Sequence, residues 1–361
     1  MKLALSACKW RRVLFGAALV LAVPRAGGQE AQDQPPEAAS AVAMMTEIEI
    51  VERVMAAADR ALEYLALHQQ PDGRWVGNNG TDALALLAFL GRGHVPGRGP
   101  YSDVIERAKQ QILGTQREDG YFESGGRMYG HALATLTIAE MYGMDRDRRV
   151  EECLRKAIDL IVRAQSPNGG WRYAPTPGDH DLSVTVMQIV ALRAANNAEV
   201  AVPEETIRKA IEYVHSCHVP DPGGFCYQPG RAPSACMTAA GILSLQLLGE
   251  YDDPQIAPAL EYLGQVPIQW SGAAPATFFY YFHYYAVQAS YQAGGQHWSN
   301  WHPRVRELLL AQQKPDGSWE VPPGSNHEAK VETVGPNNIY PTAMACLVLE
   351  IYLHFLPAYQ R

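Results

Sequence analysis

Apolar residues recur at helical spacing through most of the chain, in two alternating styles. Glu47 to His68 (EIEIVERVMAAADRALEYLALH) interleaves charges with apolar positions three and four apart, the pattern of a helix with one wet face. Thr81 to Gly91 (TDALALLAFLG) is apolar nearly all round and predicts a helix buried on every side. The alternation continues. YSDVIERAKQQILGTQ is followed by MYGHALATLTIAEMYG, VEECLRKAIDLIVRAQ by LSVTVMQIVALRAA, and EETIRKAIEYVHS by SACMTAAGILSLQLLG. Then IAPALEYLGQ precedes TFFYYFHYYAVQASYQ, and WHPRVRELLLAQQ precedes YPTAMACLVLEIYLHFL.

Between the two helices of a pair stands a recurring turn. HQQPDGRW (68–75), TQREDGYF (115–122), AQSPNGGW (164–171), SCHVPDPGGF (216–225) and AQQKPDGSW (311–319) each close a helix and turn at a glycine before reaching an aromatic. The turn positions Asp72, Asp119, Asn168 and Asp221 lie 47, 49 and 53 residues apart, and Asp316 lies 95 beyond Asp221. One copy has eroded near PIQWSG (267–272), with Trp270 as its relic, so the period predicts six units. Glycine supplies positive φ after each outer helix, Asp or Asn bonds the local backbone, and the aromatic pins the turn; these turns are staples. Neither terminal unit has the polar outer face of a capping repeat, so the six hairpins are expected to close on themselves. The fold class expected is all-α: an α/α toroid of about twelve helices in an inner and an outer ring.

Residues 1–28 stand outside this pattern. Lys2, Lys9, Arg11 and Arg12 precede the apolar run Val13–Val23 and the small residues Ala26-Gly27-Gly28, which reads as a signal peptide. The expected organisation is a signal peptide over 1–28, a flexible leader over 29–44 and the toroid over 45–361, with export to a periplasmic or extracellular compartment. No later segment is long and apolar enough to span a bilayer. Removing the five basic residues of 1–28 takes the net charge from −8 to about −13. With no basic stripe to offset it, such a chain is not expected to bind nucleic acid. Beyond residue 28 there are five cysteines and no CxxC pair, so a structural zinc site is not expected; Cys217 and Cys226 flank a short turn and could bridge.

Six copies of helix, Asp-Gly or Asn-Gly turn with an aromatic two residues on, and helix resemble the squalene cyclase and protein prenyltransferase repeat superfamily over roughly Glu47 to Arg361. The resemblance implies a central cavity lined by the starts of the inner helices. Those starts hold Asp82, Tyr129, His131, Asp181, Ser183, Cys236, Phe278 to His283 and Tyr340. Cyclases of this superfamily that begin by protonation carry a D-x-D-D-T pattern whose middle Asp gives its proton to an alkene. In that register Asp181 falls on the first Asp, Ser183 on the donor, Val184 on the third carboxylate and Thr185 on the Thr. A serine hydroxyl cannot protonate a carbon–carbon double bond, so the resemblance arrives without its acid, and Asp181 reads as a helix N-cap. The zinc of the prenyltransferase branch requires a D-x-C pair and a later His. Ser234-Ala235-Cys236 and Tyr340-Pro341-Thr342 supply one ligand of the three, so no metal and no cofactor is expected.

The candidates that follow are Asp82, His131 and Asp181 as catalytic groups, and Tyr129, Ser183, Cys236, Phe278, Tyr281, Phe282 and Tyr340 as ligand-binding groups. The expected partner is an apolar small molecule or lipid held without protonation-initiated cyclisation. Two enzymatic alternatives stay open: an isoprenoid cyclase using another acid, and a carbohydrate-active toroid using Asp82 and Asp181 as facing carboxylates. No Gly-x-Ser-x-Gly, HExxH or phosphate-loop pattern occurs.

Overall fold

The computed structural model describes residues 36–123, 125–272, 277–325, 328, 336–353 and 356. The region expected as a signal peptide lies outside them. Contacts divide the chain into Met1–Arg53 and Val54–Arg361. Of the first unit, residues 36–53 are helical; they begin α1 (Pro36–Leu67), so that helix starts inside the stretch read as leader.

In the second unit the helices alternate as the two hydrophobic styles predict. The amphipathic set is the latter part of α1, α3 (Ser102–Gly114), α5 (Arg148–Ala164), α7 (Glu204–Ser216), α9 (Ile256–Gly264) and α11 (Gly295–Gln312). The apolar set is α2 (Asn79–Gly91), α4 (Arg127–Met144), α6 (Leu182–Asn197), α8 (Ala235–Leu247), α10 (Phe279–Ala293) and α12 (Ile339–Glu350). Every residue of α2 and of α8 is buried, which no helix at a surface could satisfy. Each apolar helix packs on the next in the order α2, α4, α6, α8, α10, α12, and α12 returns to α2. The inner ring is closed, and the expected α/α toroid is the fold.

The turns explain how the outer ring is held at fixed spacing. Gln69 Nε2 donates to Gly73 O in its own turn (3.1 Å) and to Val104 O on the following outer helix (2.9 Å). Gln116, Gln165 and Gln313 repeat this double bond onto Cys153 O, Thr206 O and Ala57 O. The Gln313 copy matters most, because Ala57 lies on α1 and the bond joins the last turn to the first outer helix. Gly317 (φ 90°) shows why glycine is required there: a Cβ would stand 2.3 Å from Arg60 O. The aromatics pin each turn inward. Trp75, Trp171 and Trp319 donate their indole N–H to Leu65 O, Ile161 O and Leu309 O at 2.7–2.8 Å. Trp270, the predicted relic of the eroded copy, packs edge-on against Phe279 at 5.0 Å.

A recess at the inner-helix N-termini

Four residues after its N-cap, each of four inner helices accepts a hydrogen bond from the main-chain N–H of the aromatic in the turn before it. Asp82 Oδ1 takes Trp75 N–H (2.9 Å), Thr185 Oγ1 takes Trp171 N–H (3.0 Å), Thr238 Oγ1 takes Phe225 N–H (3.0 Å) and Thr342 Oγ1 takes Trp319 N–H (3.2 Å). His131 serves α4 in the same way, its Nδ1 accepting from Phe122 N–H at 3.2 Å. Asp82 also accepts Val76 N–H (2.9 Å), and its carboxyl is raised by burial. On His131, Nε2 faces Ala157 O at 3.3 Å, so the neutral tautomer with Nε2–H satisfies both nitrogens; burial lowers its pKa to about 4. Both are candidate catalytic groups, and both latch turn to helix: His131 through Nδ1, Asp82 through Oδ1, while Asp82 Oδ2 is buried with no hydrogen-bond partner. The sequence could not show this, because the same role falls to Thr, Asp or His in different units.

Asp181 is the N-cap of α6 and is fully buried. Its Oδ1 accepts from Val184 N–H (2.8 Å) and Ser183 Oγ–H (2.6 Å), and its Oδ2 from Tyr227 OH (2.9 Å). Arg172 Nε stands 3.6 Å from Oδ2, and the same guanidinium lies 4.9 Å from the Tyr173 ring and 5.7 Å from the Tyr227 ring. Tyr173 OH and Tyr227 OH are 2.7 Å apart. Asp179 is exposed and His180 partly so, as expected of a turn. No cluster of three metal-ligating side chains occurs among the described residues.

From this hub the polar chain runs inward. Ser183 Oγ hydrogen-bonds Tyr129 OH, and Ser183 O accepts from Tyr281 OH at 3.3 Å. One turn below, Tyr285 OH reaches Met187 Sδ at 2.7 Å, so two tyrosines of α10 extend across to α6. Tyr340 OH meets Glu328 Oε1 at 3.3 Å. Tyr129, Tyr281 and Tyr340 each keep part of their surface open, yet burial holds each phenol well above its ordinary pKa. Hydrogen bonds therefore join Tyr129 (α4), Ser183 (α6) and Tyr281 (α10), and Glu328 links Tyr281 to Tyr340 (α12); this group at the inner-helix starts is the candidate recess, and the Cys236 thiol at the start of α8 is pushed up to about 12 by burial. Phe278 borders the recess, its ring 6.3 Å from Tyr281. Phe282 does not. It is fully buried against Trp301 of α11, 5.6 Å between rings, on the side toward the outer ring.

Sequence reasoning missed Glu328. This buried carboxylate accepts the main-chain N–H groups of Tyr281 (3.0 Å) and Tyr280 (3.3 Å), capping α10 from a distant segment. Burial raises its pKa although those donors oppose the shift. Nothing local signals it, since the cap comes from 48 residues away.

Residues 82–274, more than half of the chain, match the prenyltransferase alpha-alpha toroid domain. The chain belongs to that family. Lanosterol synthase erg7A of Aspergillus fumigatus is 28% identical over 131 residues, 33% of this chain and 17% of that protein. The drimenyl diphosphate synthase of Streptantibioticus cattleyicolor is 32% identical over 126 residues, 32% of this chain and 23% of its own. The matched part thus spans a quarter or less of either relative. Among solved structures, a type II terpene cyclase from Scytonema superposes with a TM-score of 0.60 at 14% identity, covering 84% of this chain and 98% of its own. An alpha-1,6-mannanase of Salegentibacter does so equally well, with a TM-score of 0.60 at 12% identity over 82% and 98%. At these identities the superpositions speak for the toroid and not for a reaction.

Proposed function

We propose that this toroid binds an apolar or amphiphilic small molecule of isoprenoid type in the tyrosine-walled recess and does not cyclise it by protonation. The observation that carries the reading is the state of Asp181. Both its oxygens are engaged by protein donors, Ser183 and Val184 on Oδ1 and Tyr227 on Oδ2. Ser183, at the donor position of the cyclase pattern, is itself tied to Tyr129 and Asp181. Glu328 is a poor substitute, because a carboxyl raised by burial is a weaker acid and alkene protonation needs a strong one. Tyrosine faces suit an apolar chain, and their hydroxyls suit a polar head. Among the described residues no helix is long and apolar enough to cross a membrane. Export through residues 1–28 belongs to the same proposal, and N-terminal sequencing of the protein recovered outside the cytoplasm tests it, with cleavage near Gly28 as the expected result.

The binding reading is tested by native mass spectrometry and organic extraction of the purified protein, paired with incubation on squalene. A co-purifying apolar molecule and unchanged squalene are expected. Conversion of squalene that survives Ser183→Ala but is lost in a folded Asp181→Asn variant overturns the reading.

A second reading has one observation in its favour. Tyr281 is bonded at its main-chain N–H to Glu328 and at its hydroxyl to Ser183 O beside Asp181, so two carboxyl groups flank one tyrosine side chain. Glycoside hydrolysis uses carboxyl pairs at about 5–10 Å. The pair in this reading is Asp181 and Glu328. Reducing-sugar release from an α-1,6-mannan, abolished in both Asp181→Asn and Glu328→Gln, would establish it.

A further inference from the structure

Cys217 caps the C-terminus of α7, and Cys226 lies just past the turn that follows. The chain pairs antiparallel between them: His218 bridges Phe225, Cys226 N–H donates to Cys217 O (2.9 Å) and Val219 N–H donates to Gly224 O (2.8 Å). Flanking one bridged pair in this way sets Cys217 and Cys226 opposite each other with both side chains on one face of the ribbon. His218 and Phe225 occupy the other face, stacked edge-on at 5.2 Å. Both are free thiols in this structure, and the Cys226 thiol lies 3.1 Å from Cys217 O and 3.0 Å from Gln228 O. Cys217 and Cys226 share one of the two main-chain bonds of an antiparallel pair, the Cys217 N–H going to Val214 O in α7, and residues paired in this way stand about 5.5 Å apart at Cα, within the span that disulfides bridge. Of the other described cysteines, Cys346 donates to Glu350 and Cys153 and Cys236 are likewise free thiols.

The residue after Cys226 is Tyr227. Its carbonyl accepts Leu182 N–H (2.9 Å) at the start of α6, and its hydroxyl donates to Asp181 Oδ2. A covalent link at Cys226 would therefore fix the segment that supports the Asp181 hub.

We propose that Cys217 and Cys226 form a structural disulfide that braces the rim of the recess through Tyr227. Closure by thiol–disulfide exchange with a small-molecule disulfide such as oxidised glutathione balances as follows. Two Cys S–H bonds and the glutathione S–S bond break, one protein S–S bond forms, and two glutathione thiols leave with the two protons. Both thiols are buried and raised, Cys217 to about 12, so the folded dithiol is a poor nucleophile. The bond closes during folding, before burial, and then persists.

The test refolds the full chain from denaturant in a glutathione redox buffer, unfolds it again with a thiol-alkylating reagent, and digests it with trypsin. Both cysteines fall in one peptide, residues 210–231, between Lys209 and Arg231. After oxidative refolding that peptide is expected to carry no alkyl groups and to weigh about 2 Da less than the reduced peptide. The midpoint of thermal unfolding is expected to rise by about 3–5 °C over the dithiothreitol-treated protein, a shift absent in Cys217→Ser and in Cys226→Ser. Slower amide exchange at Leu182 in the oxidised form would tie the bond to the rim. Full double alkylation of the peptide after oxidative refolding overturns the disulfide. An intact disulfide with unchanged Leu182 exchange overturns the brace.

Discussion

Asp181→Ala separates an anchoring role from a catalytic one. The substitution removes the N-cap of α6, worth about 1 kcal/mol. It also leaves the Ser183 and Tyr227 hydroxyls without their charged acceptor, at about 1–1.5 kcal/mol each. Arg172 is partly exposed and 3.6 Å distant, so screening leaves it little further weight. The expected loss is about 3–4 kcal/mol, or about 6–8 °C in Tm for a domain of this size. Asp181→Asn keeps an oxygen facing Val184 N–H and Ser183 Oγ–H, and is expected to cost about half as much. Urea denaturation of the three proteins at neutral pH gives the comparison. If Asp181→Ala unfolds within about 0.5 kcal/mol of the parent, the carboxylate is not the anchor described here, and its burial demands a chemical explanation.

Closure of the ring makes Gln313→Ala and Gln116→Ala comparable, because each removes one bond to its own turn and one onto the next outer helix, Gln313 losing in addition the bond it accepts from the exposed Arg60. Both are expected to cost about 2 kcal/mol by denaturant titration, and a much smaller loss for Gln313 would mean an open arc. His131→Thr copies the latch of α6, α8 and α12 and is expected to stay within about 1 kcal/mol of the parent at pH 7. Because the folded His131 pKa is lowered to about 4, the unfolded chain takes up its proton first. The His131 contribution is therefore complete above about pH 6.5 and lost as pH falls toward 4, and the variant removes that part of the slope in a pH series of denaturation curves. Glu350 behaves in the opposite sense. Buried at the end of α12 with its carboxyl raised to about 8, it favours folding below its unfolded pKa, and that contribution fades as pH rises toward 8. Glu350→Gln is expected to flatten stability between pH 5 and 8; unchanged pH dependence would count against a neutral buried acid.

The hairpins are local objects, and their residues announce them. Helical periodicity separates outer from inner helices because a helix with one wet face and a helix with none need different residues. The Asp-Gly and Asn-Gly turns mark their boundaries because few residues accept positive φ. Even the eroded copy could be located by its period and by Trp270, which packs on α10 as a pinning aromatic should. Asp181 as an N-cap, and Tyr129, Ser183 and Tyr281 as neighbours, also follow from where they open their helices.

What the chain could not declare by itself is direction and partnership across distance. Asp82 and His131 stand at helix starts like the recess residues, but one residue along an α-helix turns a side chain by about 100°. Only the packed ring shows them bonded to their own turns. Phe282 and Tyr281 are adjacent, yet one packs on Trp301 and the other crosses to Ser183. Glu328 caps a helix that begins 49 residues earlier, and the bond from Gln313 to Ala57 joins positions 256 apart. Local sequence fixes conformation because it acts through neighbouring dihedral angles. Ring closure, burial and the choice of hydrogen-bond partner arise only when distant segments exclude water together.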